Sequence, residues 1–211
     1  MIDEEESMTF TARQKKVISI SAGIGAFLVA TVVIGFWADR LARDIVPNQL
    51  PSLATVDFEL TSTRGGRLGN DDLIGGPVAM FFGFTHCPEV CPTTLYTLDG
   101  LIADLGPAGE AITVVFVTVD PARDTVNILT DYISAIDEDA VGLTGDAAEV
   151  AAMLKGYGIY AEKVPLEDDD YTMDHTATVF LYDHEGYLDG TIAWGEPAEY
   201  AGPKLKNLID G

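Results

Sequence analysis

Residues 78–92 read Val-Ala-Met-Phe-Phe-Gly-Phe-Thr-His-Cys-Pro-Glu-Val-Cys-Pro. Val78–Phe82 is a short unbroken apolar run after Gly75-Gly76-Pro77, the pattern of a strand buried on both faces. Beyond it, Leu95, Leu98, Leu101, Ile102 and Leu105 recur at steps of three and four, which predicts a helix over residues 91–105. Pro92 suits the first turn of that helix, where a missing N–H costs little. Cys87 and Cys91 therefore occupy the turn between a buried strand and a helix N-terminus. Unpaired N–H groups and the helix dipole in such a place favour thiolate over thiol.

Outward from this turn the pattern stays that of an alternating fold. Val56, Phe58 and Leu60 alternate as in a half-buried strand, and Arg64-Gly65-Gly66-Arg67 follows as a turn, together an N-terminal hairpin. Ile112–Val119 is the strongest strand signal in the chain. A helix is expected over 126–136, with Val126, Leu129, Ile133 and Ile136 on one face. Another is expected over 147–157, with Asp146 as N-cap and Gly158 as its stop. Thr178–Tyr182 and Leu188–Ile192 read as a hairpin, and a short helix closes the chain. The order is that of an α/β fold with a largely buried central sheet. Periodicity alone takes the reading no further.

The chain has 211 residues, enough for one ordinary domain and an additional piece. That piece is residues 17–37, which contain no charged residue and no proline. A helix of about 20 apolar residues crosses a hydrocarbon core about 30 Å thick. Arg13, Lys15 and Lys16 precede the run and favour a cytoplasmic N-terminus, and Trp37 suits the far interface. A cleaved signal peptide fits less well, since its apolar region is about 7–15 residues and ends in a small-x-small site. The expected organisation is a cytoplasmic tail (1–16), a single-pass transmembrane anchor (17–37), a linker (38–51) and a globular domain (52–211). That domain then lies on the periplasmic, extracytoplasmic side of the inner membrane.

Asp and Glu number 34 against 12 Lys and Arg, giving a net charge of −22, most of it beyond residue 47. Such a surface repels nucleic acid and anionic lipid head groups. It suits solubility, including in a saline medium where repulsion is screened, or a basic partner.

The chain has only two cysteines. A disulfide across four residues staples almost nothing, so the pair reads as chemistry rather than scaffold. Spacing of four can put both sulfurs on one side of a helical turn, where they share a metal ion or close a local disulfide. Two soft sulfurs select Cu(I) or zinc over hard cations and leave a site incomplete. Three histidines are available. His86 adjoins Cys87, His184 falls in a turn, and His175 stands at the end of a loop just before the strand at 178. Spacing alone leaves His175 open between ligand and ordinary surface or core histidine.

The string Phe82-Gly83-Phe84-Thr85-His86-Cys87-Pro88-Glu89-Val90-Cys91-Pro92 resembles the signature of the SCO/SenC family of copper chaperones. The same order continues in Val119-Asp120-Pro121-Ala122-Arg123-Asp124-Thr125, Gly142-Leu143-Thr144-Gly145 and Asp174-His175-Thr176. The resemblance implies a thioredoxin-like fold decorated by the N-terminal hairpin and an inserted helix. It implies one copper ion per chain, Cu(I) or Cu(II), on Cys87, Cys91 and His175, with Asp174 a candidate to orient the histidine. It also implies assembly of the dinuclear copper centre of cytochrome c oxidase subunit II, by copper delivery or by reduction of that partner's cysteines. A copper donor or a thiol reductant would be the further partner.

Other residues read more plainly. Asp120-Pro121 and Arg123-Asp124 suit a local ion pair that fixes their loop, Glu167–Asp170 a solvated loop, and Met173 packing beneath it. The rival functions are a membrane-anchored thiol–disulfide oxidoreductase in which Cys87 and Cys91 are the redox pair, and a membrane-bound redox sensor without copper delivery. Three residues separate the cysteines here, against two in the ordinary redox motif. Val90-Cys91-Pro92-Thr93-Thr94 superficially resembles a peroxiredoxin cysteine, but Pro88 stands where that family has a threonine.

Overall fold

The buried run at the start of the deciding stretch is the central strand of the molecule. The computed structural model describes residues 51–211 and the helical positions Ala30, Thr31, Val33 and Gly35. The chain divides into two units, Met1–Gln49 and Leu50–Gly211. Among the described residues no helix is long and apolar enough to cross a membrane. The tail (1–16), nearly all of the expected anchor (17–37) and the linker up to residue 50 lie outside the described residues.

In the second unit a hairpin, β1 (Glu59–Ser62) and β2 (Arg67–Gly69), leads into β3 (Val78–Gly83), α1 (Val90–Ala103) and β4 (Thr113–Thr118). Then come α2 (Val126–Ser134), β5 (Val141–Thr144) and α3 (Ala147–Gly156). A second hairpin, β6 (Ala161–Pro165) and β7 (Tyr171–His175), precedes β8 (Thr178–Tyr182), β9 (Leu188–Ala193) and α4 (Ala198–Asp210). Seven strands form one sheet in the order β2-β1-β5-β4-β3-β8-β9, and β6-β7 form a separate two-stranded sheet. β3 pairs parallel with β4 and antiparallel with β8, while β4 pairs parallel with β5.

The mixed α/β order expected from the sequence is present, with boundaries shifted by a residue or two at most of the helices and strands. Two differences are larger. Val141–Thr144 is a buried strand, although Gly142 and its short length hid it. The region before His175, expected as loop, is the β6-β7 hairpin. Its turn places Asp168 and Asp169 in the left-handed region (φ 61° and 58°), with Asp170 N–H donating to Glu167 C=O at 3.4 Å. Asp tolerates that conformation, but Asp-Asp is a weaker hairpin signal than Asn-Gly or Asp-Gly.

Local chemistry explains the clean boundaries. Asp146 caps α3 by accepting from Ala148 and Glu149 N–H, and Glu149 returns a bond to the Asp146 N–H. At the other end Ile159 N–H donates to Leu154 C=O and Gly158 N–H to Lys155 C=O, with Gly158 at φ 66°. That is the Schellman arrangement, which needs a residue free of Cβ strain. The core is built on β3, every residue of which is buried, with Phe81 and Phe82 fully so, as is Phe116 opposite on β4.

Gly83 ends β3 because nothing larger fits. A Cβ there would lie 2.8 Å from the Phe116 ring and 3.0 Å from Cys91 Sγ. We expect Gly83→Ala to destabilise the chain by about 1–3 kcal/mol through overpacking, read as a lower urea midpoint. An unchanged midpoint would refute the tight contact.

Candidate metal centre

Strand register decides what meets at one end of the sheet. β3 and β4 are parallel with Gly83 opposite Thr118, so the loops that leave both strands emerge together. β8 runs antiparallel with Val179 opposite Phe81, so the residues just before it arrive at that same end. Three segments thus converge: Phe84–Glu89, Val119–Thr125 and the β7–β8 connection. Crevices outside the carboxyl ends of parallel strands are the usual ligand sites of open α/β sheets.

Cys87, Cys91 and His175 come together there, with one sulfur or nitrogen from each lying within 4.8 Å of the others. Among the described residues no other group of His, Cys, Asp and Glu side chains is so placed. Cys91 is fully buried in the first turn of α1, and Cys87 is half-buried before it. The α1 N-cap, Glu89, makes no side-chain capping bond; Cys91 N–H donates instead to Cys87 Sγ at 3.3 Å. A sulfur thus takes the role that a Ser or Asp oxygen fills at most helix starts.

Cys91 Sγ lies 3.6 Å from His175 Nε2. His175 Nδ1 lies 3.0 Å from the Thr176 carbonyl. A carbonyl only accepts, so Nδ1 carries the proton and the Nε2 lone pair is aimed at the sulfurs. The rings of Phe84 and Phe81 meet the imidazole edge-on at 5.6 and 6.3 Å.

The two thiols are unequal. The hydrogen bond from Cys91 holds the Cys87 thiol down to about 4 against the opposing effect of burial, with the Cys91 N–H adding to it. The same hydrogen bond to Cys87, then burial, pushes the Cys91 thiol far up. The opposite directions make Cys87 the more acidic thiol of the pair.

Beneath the cysteine turn lies a carboxylate that the sequence assigned only to the ion pairing of its own loop. Asp124 is fully buried. It accepts from the Thr85 N–H (3.1 Å), the Thr85 hydroxyl (2.6 Å) and the Thr118 hydroxyl (2.6 Å). These bonds pin the residue two before Cys87 to the end of β4 and satisfy a buried charge.

Asp174 does not orient His175. It is exposed on β7 opposite Glu162, and the acceptor at Nδ1 is the Thr176 carbonyl. Successive residues of a strand point to opposite faces, so Asp174 and His175 cannot both face the cysteines. His86 is half-exposed beside the Thr85 hydroxyl at 3.0 Å, outside the cluster. His184 lies in the β8–β9 turn, at the other end of the sheet from the cysteines because Tyr182 pairs with Val78. The expected ion pair is present between Arg123 and Asp120, and Met173 packs against the core.

The sequence pattern of the SCO1/SenC family matches residues 47–210. The chain belongs to that family. It is 36% identical over 138 residues to the protein SCO2 homolog, mitochondrial, of Danio rerio, a match covering 64% of this chain and 50% of that one. It is 32% identical over 180 residues to the human protein SCO1 homolog, mitochondrial, covering 82% and 60%. The chain thus spans little more than half the length of these curated relatives. Among solved structures, that of Bradyrhizobium japonicum ScoI with copper bound is similar at 39% identity and a TM-score of 0.67. The match covers 72% of this chain and 97% of that one.

Within this SCO1/SenC domain, the residues missed in the sequence are those whose partners are far along the chain, such as Asp124 with Thr85. The Thr176 carbonyl has no sequence signal at all, since every residue carries one. At about pH 6, below the ordinary thiol range, iodoacetamide should modify Cys87 and spare Cys91 in the reduced chain. In Cys91→Ala the midpoint of Cys87 alkylation should move up in pH, because the largest cause of its lowering is gone. Equal reactivity of the two thiols, or an unmoved midpoint, would contradict this arrangement.

Proposed function

We propose that this chain is a copper metallochaperone that binds one Cu(I) through Cys87, Cys91 and His175. In this reading it helps assemble the dinuclear copper centre of cytochrome c oxidase subunit II. The observation that carries the reading is the convergence of two sulfurs and one imidazole nitrogen within 4.8 Å. Two soft sulfurs and one nitrogen suit Cu(I), and the imidazole also accommodates Cu(II). The copper-bound ScoI of Bradyrhizobium japonicum supports the choice of metal.

The chain's own residues account for uptake and release. Cys87 is the more acidic thiol, so the proton that loading must expel comes chiefly from Cys91. His175 is held in the tautomer that leaves Nε2 free. With Cys91 buried and Cys87 half-buried, a partner's sulfur reaches the ion from the Cys87 side. Ligand exchange there hands the ion on and leaves Cys87 and Cys91 reduced.

The unequal thiols favour one second reading, reduction of a disulfide on the same partner. The Cys87 thiolate attacks the partner's disulfide, expelling one partner sulfur as a thiolate and forming a mixed disulfide. Cys91, losing its proton, then displaces the other partner sulfur and closes a Cys87–Cys91 disulfide. The partner gains two electrons, which a thiol reductant must resupply here.

The apolar run at 17–37 with its basic flank supports a single-pass anchor in the inner membrane, with the domain outside the cytoplasm. Protease added to intact spheroplasts should then digest residues 52–211; protection until lysis would sink the topology.

Competition with a colorimetric Cu(I) chelator should give one tight copper per reduced full chain. Binding should be lost in Cys87→Ser and weakened in His175→Ala. Weak binding indifferent to His175→Ala would remove the chaperone reading and leave the disulfide reductase.

A further inference from the structure

Two of the three donors stand on the body of the domain, while the third stands on a part that the main sheet does not hold. β6-β7 make no ladder with the seven-stranded sheet. Most of β6 is exposed, and an isolated two-stranded hairpin is marginal in water. Something must fix it where His175 can reach the sulfurs.

Its base is closed by two bonds, Thr176 N–H to Tyr160 C=O and Tyr160 N–H to the Thr176 hydroxyl, each 3.1 Å. The rest of the hold comes through one face of β7. Tyr171, Met173 and His175 alternate along the strand and therefore share that face. Met173 packs on the core in the middle, and His175 reaches the cysteines at one end. Tyr171 marks the other end, about 13 Å away at the usual rise per strand residue.

Tyr171 meets Arg123. The Arg123 guanidinium lies over the Tyr171 ring, 3.7 Å from its centroid, and its Nη1 donates to the Tyr171 carbonyl at 2.8 Å and to Asp170 Oδ1 at 3.4 Å. Arg123 Nε donates to Asp120 Oδ2, and the Tyr171 hydroxyl donates to Asp120 Oδ1 at 2.9 Å. Asp120 is buried, so its charge is balanced by these partners. Lys163 on β6 also lies near the Tyr171 ring, at 4.1 Å. Arg123 is therefore the body's grip on the far end of the face that presents His175.

We propose that Arg123, with Asp120 and Tyr171, forms a clamp that positions His175 and so sets whether the metal sees three donors or two. The proposal rests on the copper reading above. None of the three residues touches the cluster; each acts through the hairpin. A partner that displaces Tyr171 from Arg123 would loosen the histidine and leave copper on the cysteines, ready for transfer.

The test uses the full chain with Arg123→Gln and Tyr171→Phe, each alone and combined with His175→Ala. Tyr171→Phe removes only the hydroxyl bond to Asp120, and so remains informative if Arg123→Gln folds poorly. Arg123→Gln should weaken Cu(I) binding by about 10–100-fold, as loss of an outer support typically does, and Tyr171→Phe should weaken it less. In the His175→Ala background the same changes should alter affinity by no more than about twofold. Equal losses in both backgrounds, or no loss in either, would overturn the clamp.

A copper-free readout separates the two claims. Deuterium exchange over residues 161–175 should quicken in both variants while α1 stays protected. Unchanged exchange there overturns the clamp whether or not copper binds. Failure of the unmodified chain to bind Cu(I), with quickened exchange in the variants, would instead overturn the copper reading and with it any role of the clamp at the metal.

Discussion

Everything at the metal centre depends on how β3 is paired. Its two edges are taken by a parallel neighbour, β4, and an antiparallel one, β8. The parallel pairing sends the cysteine turn and the Asp120–Asp124 loop out of the same end of the sheet. The antiparallel pairing brings the chain back to that end immediately after His175. A slip of one residue in β8 would turn its buried face outward and move His175 with it. The fully buried Phe81, which also meets the imidazole edge, stands on the strand that sets this register.

The two halves of the centre are supported differently. The cysteine half is rigid by construction. Helix α1 starts at Val90, the Cys91 N–H is held by Cys87 sulfur, and Asp124 grips Thr85 from below with a charge that is buried but fully bonded. The histidine half depends on a small hairpin whose inner face alternates Tyr171, Met173 and His175. A site with one fixed part and one separately held part can change donor number without disturbing the core. On the proposed copper reading, that suits an ion that is gripped and then given up, since release through a two-donor state avoids leaving copper bare.

Electrostatics sharpen this division. The outer cysteine is the more acidic of the two and the less buried, so thiolate is favoured on the sulfur nearer solvent. The same asymmetry serves metal capture and thiol exchange, because thiolate is the active form in both. Chemistry at the pair alone therefore does not separate the two activities. The imidazole does, since only metal binding uses it as a donor.

The local elements and the cysteine half of the centre follow from short-range sequence pattern. The buried run Val78–Phe82, the three-and-four spacing after Cys91 and the cap at Asp146 are signals carried within a dozen residues, and each element formed where its pattern stands. Cys87 and Cys91 were legible because a helix N-terminus and a four-residue spacing are local facts. His175 was named through family likeness; its spacing alone left it open among three histidines. Strand β5 was missed because four buried residues with a glycine carry no periodicity, and the β6-β7 hairpin because its turn uses Asp-Asp. That Asp174 faces away, that the Thr176 carbonyl sets the tautomer, and that Asp124 and Arg123 hold the two halves emerge from the folded chain alone. Those facts depend on strand register and on contacts between residues some 40 to 50 positions apart, as in Thr85–Asp124 and Arg123–Tyr171. Chain connectivity does not encode such pairings locally; the packing of the whole sheet does.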